Sequence, residues 1–398
     1  VLLSSRGRRI GGRVALGVVS ALVLGATGYA WSQLSKLDHG LVTADVISPS
    51  GQVAGDDTIP GEPLKVAQNI LLVGIDARTD AYGNPLPQNV LDTLHAGSGD
   101  DGGDTTDTMI VVHIPAGGAA ATAISIPRDS YVDIAGGYGK HKINSAYSRG
   151  KNASMSGLRS QGLSGPQLEV AANEAGAKTA IQTVEKFTGL TINHYAAINL
   201  AGFDALSQAV GGVEVCLKEP VHDTYSGANF AAGPQTLSGA QALAFVRQRH
   251  GLTNGDLDRI ARQQAFLSGM AKKVLSAGTF TDVSKLNSLV SAVQGAVVLD
   301  KGWDVLSFAQ QLRGMSSGAI AFATIPVQSL SLATPSDGDA VKVDPAQVQQ
   351  FIRTAISSPA VQASGDDTVG SVKPVAATTT KTADSKQPAT STAAGCVN

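Results

Sequence analysis

The chain has 398 residues, a net charge of −2 and 16% charged residues, so it lacks the overall basic footprint of a nucleic-acid-binding protein. Any anion chemistry must come from a local cluster of Arg or Lys. Two cysteines, Cys216 and Cys396, exclude a zinc spacing, a CxxC motif and a dense disulfide framework, while the length suits one large α/β domain with tails.

From the start of the chain, Arg6, Arg8, Arg9 and Arg13 precede an uncharged apolar run, Val14–Trp31. A run of about 18 residues is just long enough to cross a bilayer as a helix. The positive-inside rule puts residues 1–13 in the cytoplasm and the rest outside. A cleaved signal peptide is the rival, with Ala26-Thr27-Gly28 as a weak processing site, but the run length favours an anchor. Residues 32–68 are polar, with Pro49, Pro60 and Pro63, and read as an extracellular stem. Residues 69–357 form the globular domain. Asn69–Ile75, Met109–Ile114 and Ala121–Ile126 are predicted strands. A helix is predicted over Ala177–Phe187 with Gly189 as its stop, then strand His194–Ile198, helix Leu200–Ala209 and strand Val213–Leu217. Ser238 is expected to cap a helix through Ala240–Phe245, and Asp256 to begin a long helix to about Leu275. Ile320–Ile325 reads as a late strand and Asp344–Ile356 as a closing helix with Pro345 in its first turn. This alternation predicts an α/β fold, a central mixed sheet with helices on both faces. Residues 358–398 collapse to Ala, Thr, Ser, Pro and Val and read as a disordered tail.

The densest chemical signal is Arg247-Gln-Arg249-His250 followed by Asp256-Leu-Asp-Arg259-Ile-Ala-Arg262-Gln263. Asp256, Arg259 and Gln263 fall on one helical face, with Arg262 beside them. Two positive charges about 6 Å apart repel by roughly 3 kcal/mol at an effective dielectric of about 20. Converging arginines therefore imply an anionic ligand or paired carboxylates, and the guanidinium fork suits phosphate oxygens. A solvated helix with an ordinary Asp256–Arg259 pair is the plainer reading. Arg128, in Ser125-Ile-Pro-Arg128-Asp129, follows a predicted strand, where α/β sheets place ligands; it also reads as a surface residue after a proline turn. Asp76 and Asp107 sit at neighbouring predicted strand ends. Mg²⁺ takes one or two carboxylates plus phosphate oxygens and water, although Asp beside turns is often only a turn former. The chain has no Walker A motif, no G-x-G-x-x-G and no G-x-S-x-G elbow, and its seven histidines show no metal spacing.

In series, these segments resemble the LytR-CpsA-Psr family. The resemblance is carried by Asn69-Ile-Leu-Leu-Val-Gly-Ile-Asp76-Ala-Arg78, Asp104-Thr-Thr-Asp107-Thr-Met109, Ile126-Pro-Arg128-Asp129 and Lys142-Ile-Asn144-Ser-Ala-Tyr147. Gly211-Gly212-Val-Glu-Val, Leu237–Leu243 and the arginine segments continue it, in order, to about Val327. It implies transfer of a glycopolymer from a polyprenyl-pyrophosphate carrier to peptidoglycan, at the outer face of a single-pass membrane protein. By that likeness Arg128, Arg247, Arg249 and Arg259 grip the pyrophosphate, and Asp76 and Asp107 hold Mg²⁺ or Mn²⁺. Lys142, Asn144, Asp256, Arg262 and Gln263 support the head group or the arginines. An apolar tunnel for the polyprenyl tail is likewise implied by the family only. Asp107 and Asp129 are both candidates for a base. A module that only binds the lipid-linked polymer, and a pyrophosphatase, are the competing readings. A transcriptional regulator does not fit, because thirteen residues before Val14 hold no helix-turn-helix.

The chain departs from a compact member in three places. Thr79–Gly103 separates the two expected metal aspartates. A Gly/Ser-rich stretch, Lys151–Pro166, reads as an inserted lid or loop. A cysteine, Cys396, stands at the end of the tail, and a disulfide with Cys216 is expected in an exported chain.

Overall fold

The computed structural model describes residues 41–52, 64–99, 103–118, 121–253, 255–274, 291–292, 294–304, 308, 320–357 and 396–398. In chain order the elements are β1 (Val42–Ala44), β2 (Gln68–Ile75), α1 (Gln88–Thr93), β3 (Thr106–Ile114), β4 (Ala121–Ser125), β5 (Tyr131–Ile134), β6 (Gly139–Lys142), α2 (Ser145–Ser160), α3 (Gly165–Thr188), β7 (His194–Asn199), α4 (Leu200–Ala209), β8 (Val213–Leu217), β9 (Val221–Asp223), β10 (Ala228–Phe230), β11 (Gly233–Leu237), α5 (Gly239–Arg247), α6 (Asp256–Val274), β12 (Val297–Asp300), β13 (Ile320–Thr324), β14 (Ser329–Ala333), β15 (Asp339–Lys342) and α7 (Pro345–Ser357).

Seven strands form one mixed sheet in the order β1-β12-β7-β2-β3-β4-β13. β7 runs parallel to β2, and β3 runs antiparallel to both β2 and β4. The carboxyl ends of β2, β4 and β7 therefore meet the amino end of β3 along one edge. Strand side chains alternate between faces. Leu71, Val73 and Ile75 of β2 pack with Tyr147, Ile181, Val184, Phe187, Val348 and Ile352 from α2, α3 and α7. The opposite face is covered by α4, α5 and α6, whose Leu200, Leu243, Phe245 and Phe266 join Val213, Val215 and Leu217 of β8 and Leu237 of β11.

The predicted strands and helices recur, several with longer bounds; the helix expected over Ala177–Phe187 is α3, and Gly189 ends it with φ 74°. Other expectations need correction. Lys151–Pro166 is not a loop: most of it belongs to α2. The reason is close packing on α3, where a Cβ on Gly176 would stand 2.7 Å from the Tyr147 carbonyl oxygen and one on Gly150 would strike Thr179. Small residues here serve helix contact rather than chain freedom. The stem assignment for 32–68 fails in part, because Val42–Ala44 pairs with β12 in the central sheet and Val46 and Leu64 are buried. The disordered-tail assignment fails at residues 396–398. Cys396 is disulfide-bonded to Cys216, and Val397 bridges Leu217 in parallel. Ser238 occupies the position before α5 but makes no side-chain cap; the Gly239 N–H donates instead to Ser207 Oγ at 2.7 Å. The expected anchor, Val14–Trp31, and tail residues 358–395 lie outside the described residues. Among the described residues no helix is long and apolar enough to cross a membrane.

Candidate active site

The site is built on the sheet edge where the carboxyl ends of β2 and β4 meet the start of β3. Ile75 pairs with Thr106, so Asp76 and Asp107 emerge from adjacent strands. The Asp76 N–H donates to the Thr105 carbonyl at 3.0 Å, which fixes that register beyond the strand end. Beside them Pro127 turns the chain out of β4 and sends Arg128 back over β3. Arg128 Nη1 donates to Asp107 Oδ1 at 2.5 Å. Thr105 Oγ1 donates to the same oxygen at 3.2 Å, so the described side-chain bonds of Asp107 fall on Oδ1.

Asp129 gathers three cations. Lys142 Nζ lies 3.4 Å from one carboxylate oxygen, and Arg128 Nε and Arg249 Nη2 lie 3.7 and 3.8 Å from the other. Arg247 Nη2 approaches Asp76 Oδ1 at 3.9 Å, and Arg78 Nη1 holds that oxygen at 2.6 Å. The first turn of α6 brings in Arg259, ion-paired with Asp256 and 3.5 Å from the Asp107 carbonyl oxygen. Asp76, Asp107, Arg128, Lys142, Arg247, Arg249, Asp256 and Arg259 thus converge. Asn144 contributes its backbone: its N–H donates to the Arg128 carbonyl at 3.1 Å and its carbonyl accepts from Thr106 N–H at 3.2 Å. Gln263 Nε2 donates to the Val246 carbonyl at 3.3 Å and lines the cavity below the site.

Arg262 is the exception. It is fully buried, donates to Gln248 Oε1 and to the Asn398 carbonyl, and lies 5.1 Å over the Phe245 ring. It supports the segment that carries Arg247 and Arg249 rather than contacting a head group. Burial lowers its pKa to about 10, against the nearby charges of Asp258 and Asp223.

The electrostatics favour an anion. Arg128 Nε and Arg259 Nε are buried donors without a hydrogen-bond partner among the described residues. Such orphans cost free energy unless a ligand or water completes them. Burial pushes the Arg259 pKa down, the positive charges of Arg128 and Arg249 add to that, and Asp256 and Asp107 only partly offset it. Burial pushes Asp107 up, yet Arg128 and Arg259 outweigh this and hold its carboxyl below the ordinary range. Asp107 stays ionised.

Below this cluster a cavity of ≈ 250 Å³ opens between the sheet and α4–α6. Leu72, Ile110, Ala196, Leu206, Phe266 and Met270 make its wall apolar, while Asp76, Asp107, Arg247 and Arg259 also line it. Two carboxylates at adjacent strand ends are a donor set that fits Mg²⁺ when a phosphate completes the shell. Among the described residues no group of three or more His, Cys, Asp or Glu is arranged to hold a metal unaided.

Three supports escaped sequence reasoning. Arg78 bridges Asp76 and the Ala96 carbonyl, the latter at 2.9 Å. Leu94 and His95 present consecutive carbonyls to Arg247 Nη1 at 3.1 and 3.3 Å, from the segment before β3. Gln264 Nε2 ties α6 to the sheet through Ser125 Oγ at 2.9 Å and Thr324 Oγ1 at 3.1 Å. Only Arg78 carried a signal, its place in the Asp76 motif.

The LytR_cpsA_psr family model matches residues 50–355. Cell wall biosynthesis protein LcpA of Corynebacterium glutamicum is 42% identical over 358 residues, covering 89% of this chain and 68% of that protein. Polyisoprenyl-teichoic acid–peptidoglycan teichoic acid transferase TagU of Enterococcus faecalis is 34% identical over 224 residues, covering 56% of this chain and 64% of that protein. The matches span about two thirds of both relatives. The crystal structure of B. subtilis TagV shares the fold, with a TM-score of 0.52 at 24% identity over 73% of this chain and 98% of that one.

Proposed function

Because the chain belongs to the LytR_cpsA_psr family, we propose that it transfers a glycopolymer from a polyprenyl-pyrophosphate carrier to peptidoglycan, forming a phosphodiester. The observation that carries this reading is the arginine cluster, with buried unpartnered Nε donors, at the head of an apolar cavity. A ligand that is anionic at one point and apolar beyond it matches both halves. The names of the two relatives, one a cell wall biosynthesis protein and one a transferase to peptidoglycan, support the same substrate class.

In the reaction a hydroxyl oxygen of the acceptor sugar bonds to the sugar-proximal phosphorus. The bridging oxygen leaves with its electron pair on the lipid monophosphate, and the hydroxyl proton passes to a base or to solvent. Phosphoryl transfer depends more on position and charge than on a covalent partner. Arg128 and Arg259 direct Nε donors at the pyrophosphate, Arg247 and Arg249 close over it, and Lys142 balances Asp129. Asp107, held ionised by two arginines, is a poor proton acceptor at neutral pH, because a base works best with a pKa near the working pH. That favours a charge-placing role for it. Asp76 and Asp107 would hold Mg²⁺ or Mn²⁺, which supplies charge neutralisation at the phosphate oxygens. The apolar cavity would take the first units of the lipid.

The reading includes a membrane location. Val14–Trp31 anchors the chain, and the domain faces the outside; the Cys216–Cys396 disulfide suits such an oxidising compartment. The test is transfer of a labelled polyprenyl-pyrophosphate glycan to peptidoglycan by wild type and Arg249→Ala, with and without Mg²⁺. Mg²⁺-dependent transfer that falls by about 100-fold in the variant is expected. Tight binding without turnover, or release of phosphate-ended glycan with acceptor present, overturns the ligase reading.

A further inference from the structure

We propose that Tyr225 and His250 form a stacking subsite for a pyranose ring at the outer rim of the arginine cluster. The inference rests on the transfer reaction above and names where one of its sugars sits. Tyr225 is 76% exposed, more than any other large apolar side chain among the described residues. It does not stand on a loose tip. The buried carboxylate of Asp223 accepts the Tyr225 N–H at 3.0 Å and the Ser226 hydroxyl at 2.7 Å, and the following β10 buries Ala228 and Phe230. One face of the Tyr225 ring rests on the His250 imidazole, with centroids 4.3 Å apart. His250 Nδ1 also lies 3.8 Å from Asp223, so ring, imidazole and carboxylate brace one another.

The position of this platform gives it a function. His250 directly follows Arg249, whose guanidinium reaches Asp129 in the cluster. Side-chain exposure climbs from 3% at Arg259 through 43% at Arg249 to 64% at His250. The chain thus leads outward from the buried phosphate donors to an open aromatic face. The apolar cavity runs the other way, inward, and is matched to lipid. Whatever is attached to the far side of the phosphate must leave outward, and the attacking hydroxyl must arrive from there. Both groups are sugars. A pyranose offers an apolar C–H face that stacks on an aromatic ring, and equatorial hydroxyls that meet the Tyr225 hydroxyl, the His250 nitrogens and Arg249. A large rigid aromatic with its second face open, beside a charged site, supplies that recognition at low entropic cost.

The experiment uses the full chain in detergent or vesicles, as wild type, Tyr225→Ala and Tyr225→Trp. KM is measured separately for the lipid-linked glycan and for the peptidoglycan acceptor, alongside acceptor-free hydrolysis of the donor. Tyr225→Ala is expected to raise one KM by about five- to tenfold with kcat little changed, and Tyr225→Trp to restore it. A rise in the acceptor KM alone assigns the subsite to the acceptor, and a rise in the donor KM alone assigns it to the transferred glycan. Thermal unfolding is expected to stay unchanged, because the ring is exposed. Calorimetric titration with peptidoglycan oligosaccharides and with lipid-free glycan phosphate separates this inference from the reaction. If wild type binds either sugar and Tyr225→Ala binds it more weakly, the subsite stands even without turnover. Equal KM values and equal sugar affinities in the two proteins, or no sugar binding by either when transfer is also absent, overturn it.

Discussion

Asp107 shows how neighbours decide the state of a single carboxylate. Burial alone would favour its neutral form, but Arg128 and Arg259 hold its pKa below the ordinary carboxylate value. A lowered folded pKa gives stabilisation that is complete above the unfolded value, near pH 4, and lost as pH falls through the folded one. We therefore expect Asp107→Asn to destabilise the domain by about 1–3 kcal/mol in urea unfolding, constant from pH 5 to 8 and shrinking below about pH 4. The pH profile of transfer between 5 and 8 should carry no limb from Asp107. Arg262 has a different duty. Its fork bonds Gln248 and the Asn398 carbonyl, and its plane covers Phe245. Arg262→Lys keeps the charge but loses the fork. It should lower the unfolding free energy by about 2–4 kcal/mol, read in urea unfolding, and weaken transfer. The arginine-rich segments were legible because clustered guanidinium groups demand an anion. Which arginine turns inward was not: Arg259 and Arg262 lie three residues apart, and only the packing of Phe245 and the Asn398 carbonyl separates their roles.

At the scale of elements, the segment between β2 and β3 acts as a brace. Leu91, Leu94 and Ala96 are buried with α5 and β10, and from that seat the segment offers the Leu94 and His95 carbonyls to Arg247 and the Ala96 carbonyl to Arg78. His95 adopts φ 48°, a left-handed conformation uncommon outside glycine. Such strain persists where the surroundings fix it. Leu91→Ala should cost about 2–5 kcal/mol in stability and also lower transfer, because Arg247 loses its seat. His95→Gly, which removes the strain, should preserve both. The α2–α3 pair makes a second case. A Cβ at Gly150 would overlap Thr179, so Gly150→Ala should destabilise by about 1–3 kcal/mol, read as a lower urea midpoint. From the sequence this region looked like a loop, because Gly and Ser are weak helix formers. Helix contact overrides that propensity, and nothing in local composition reports it. The short hairpins β5–β6, β9–β10 and β14–β15 were also invisible, since strands of three to five residues carry little periodicity.

Across the whole molecule, the disulfide joins residues 180 positions apart and seats residues 396–398 against β8. Cross-linking so long a loop restricts the unfolded chain, so Cys396→Ser should lower the unfolding free energy by about 2–5 kcal/mol. Arg262 should feel the same change through Asn398, and limited proteolysis near β8 should rise. The central strands were readable as short apolar runs, and the alternation of strand and helix gave the layered architecture. The sheet order was not readable, nor was the incorporation of Val42–Ala44, whose three residues are too few to show a strand period and sit in an otherwise polar stretch.

One feature of that sheet carries beyond the site. Asp76 and Asp107 stand together because β2 and β3 lie in antiparallel register and the Thr105 carbonyl holds the Asp76 N–H, so the length of chain at the Gly97–Gly99 turn has no part in setting the distance. Closing a loop of twice the length costs only about 0.6 kcal/mol more. Beyond the bracing residues that end at Ala96, the connection is therefore a place where chain can be inserted while the paired carboxylates keep their spacing. A graft at its exposed turn, Gly97–Gly99, is the natural point to attach a reporter or a second binding module without touching the chemistry.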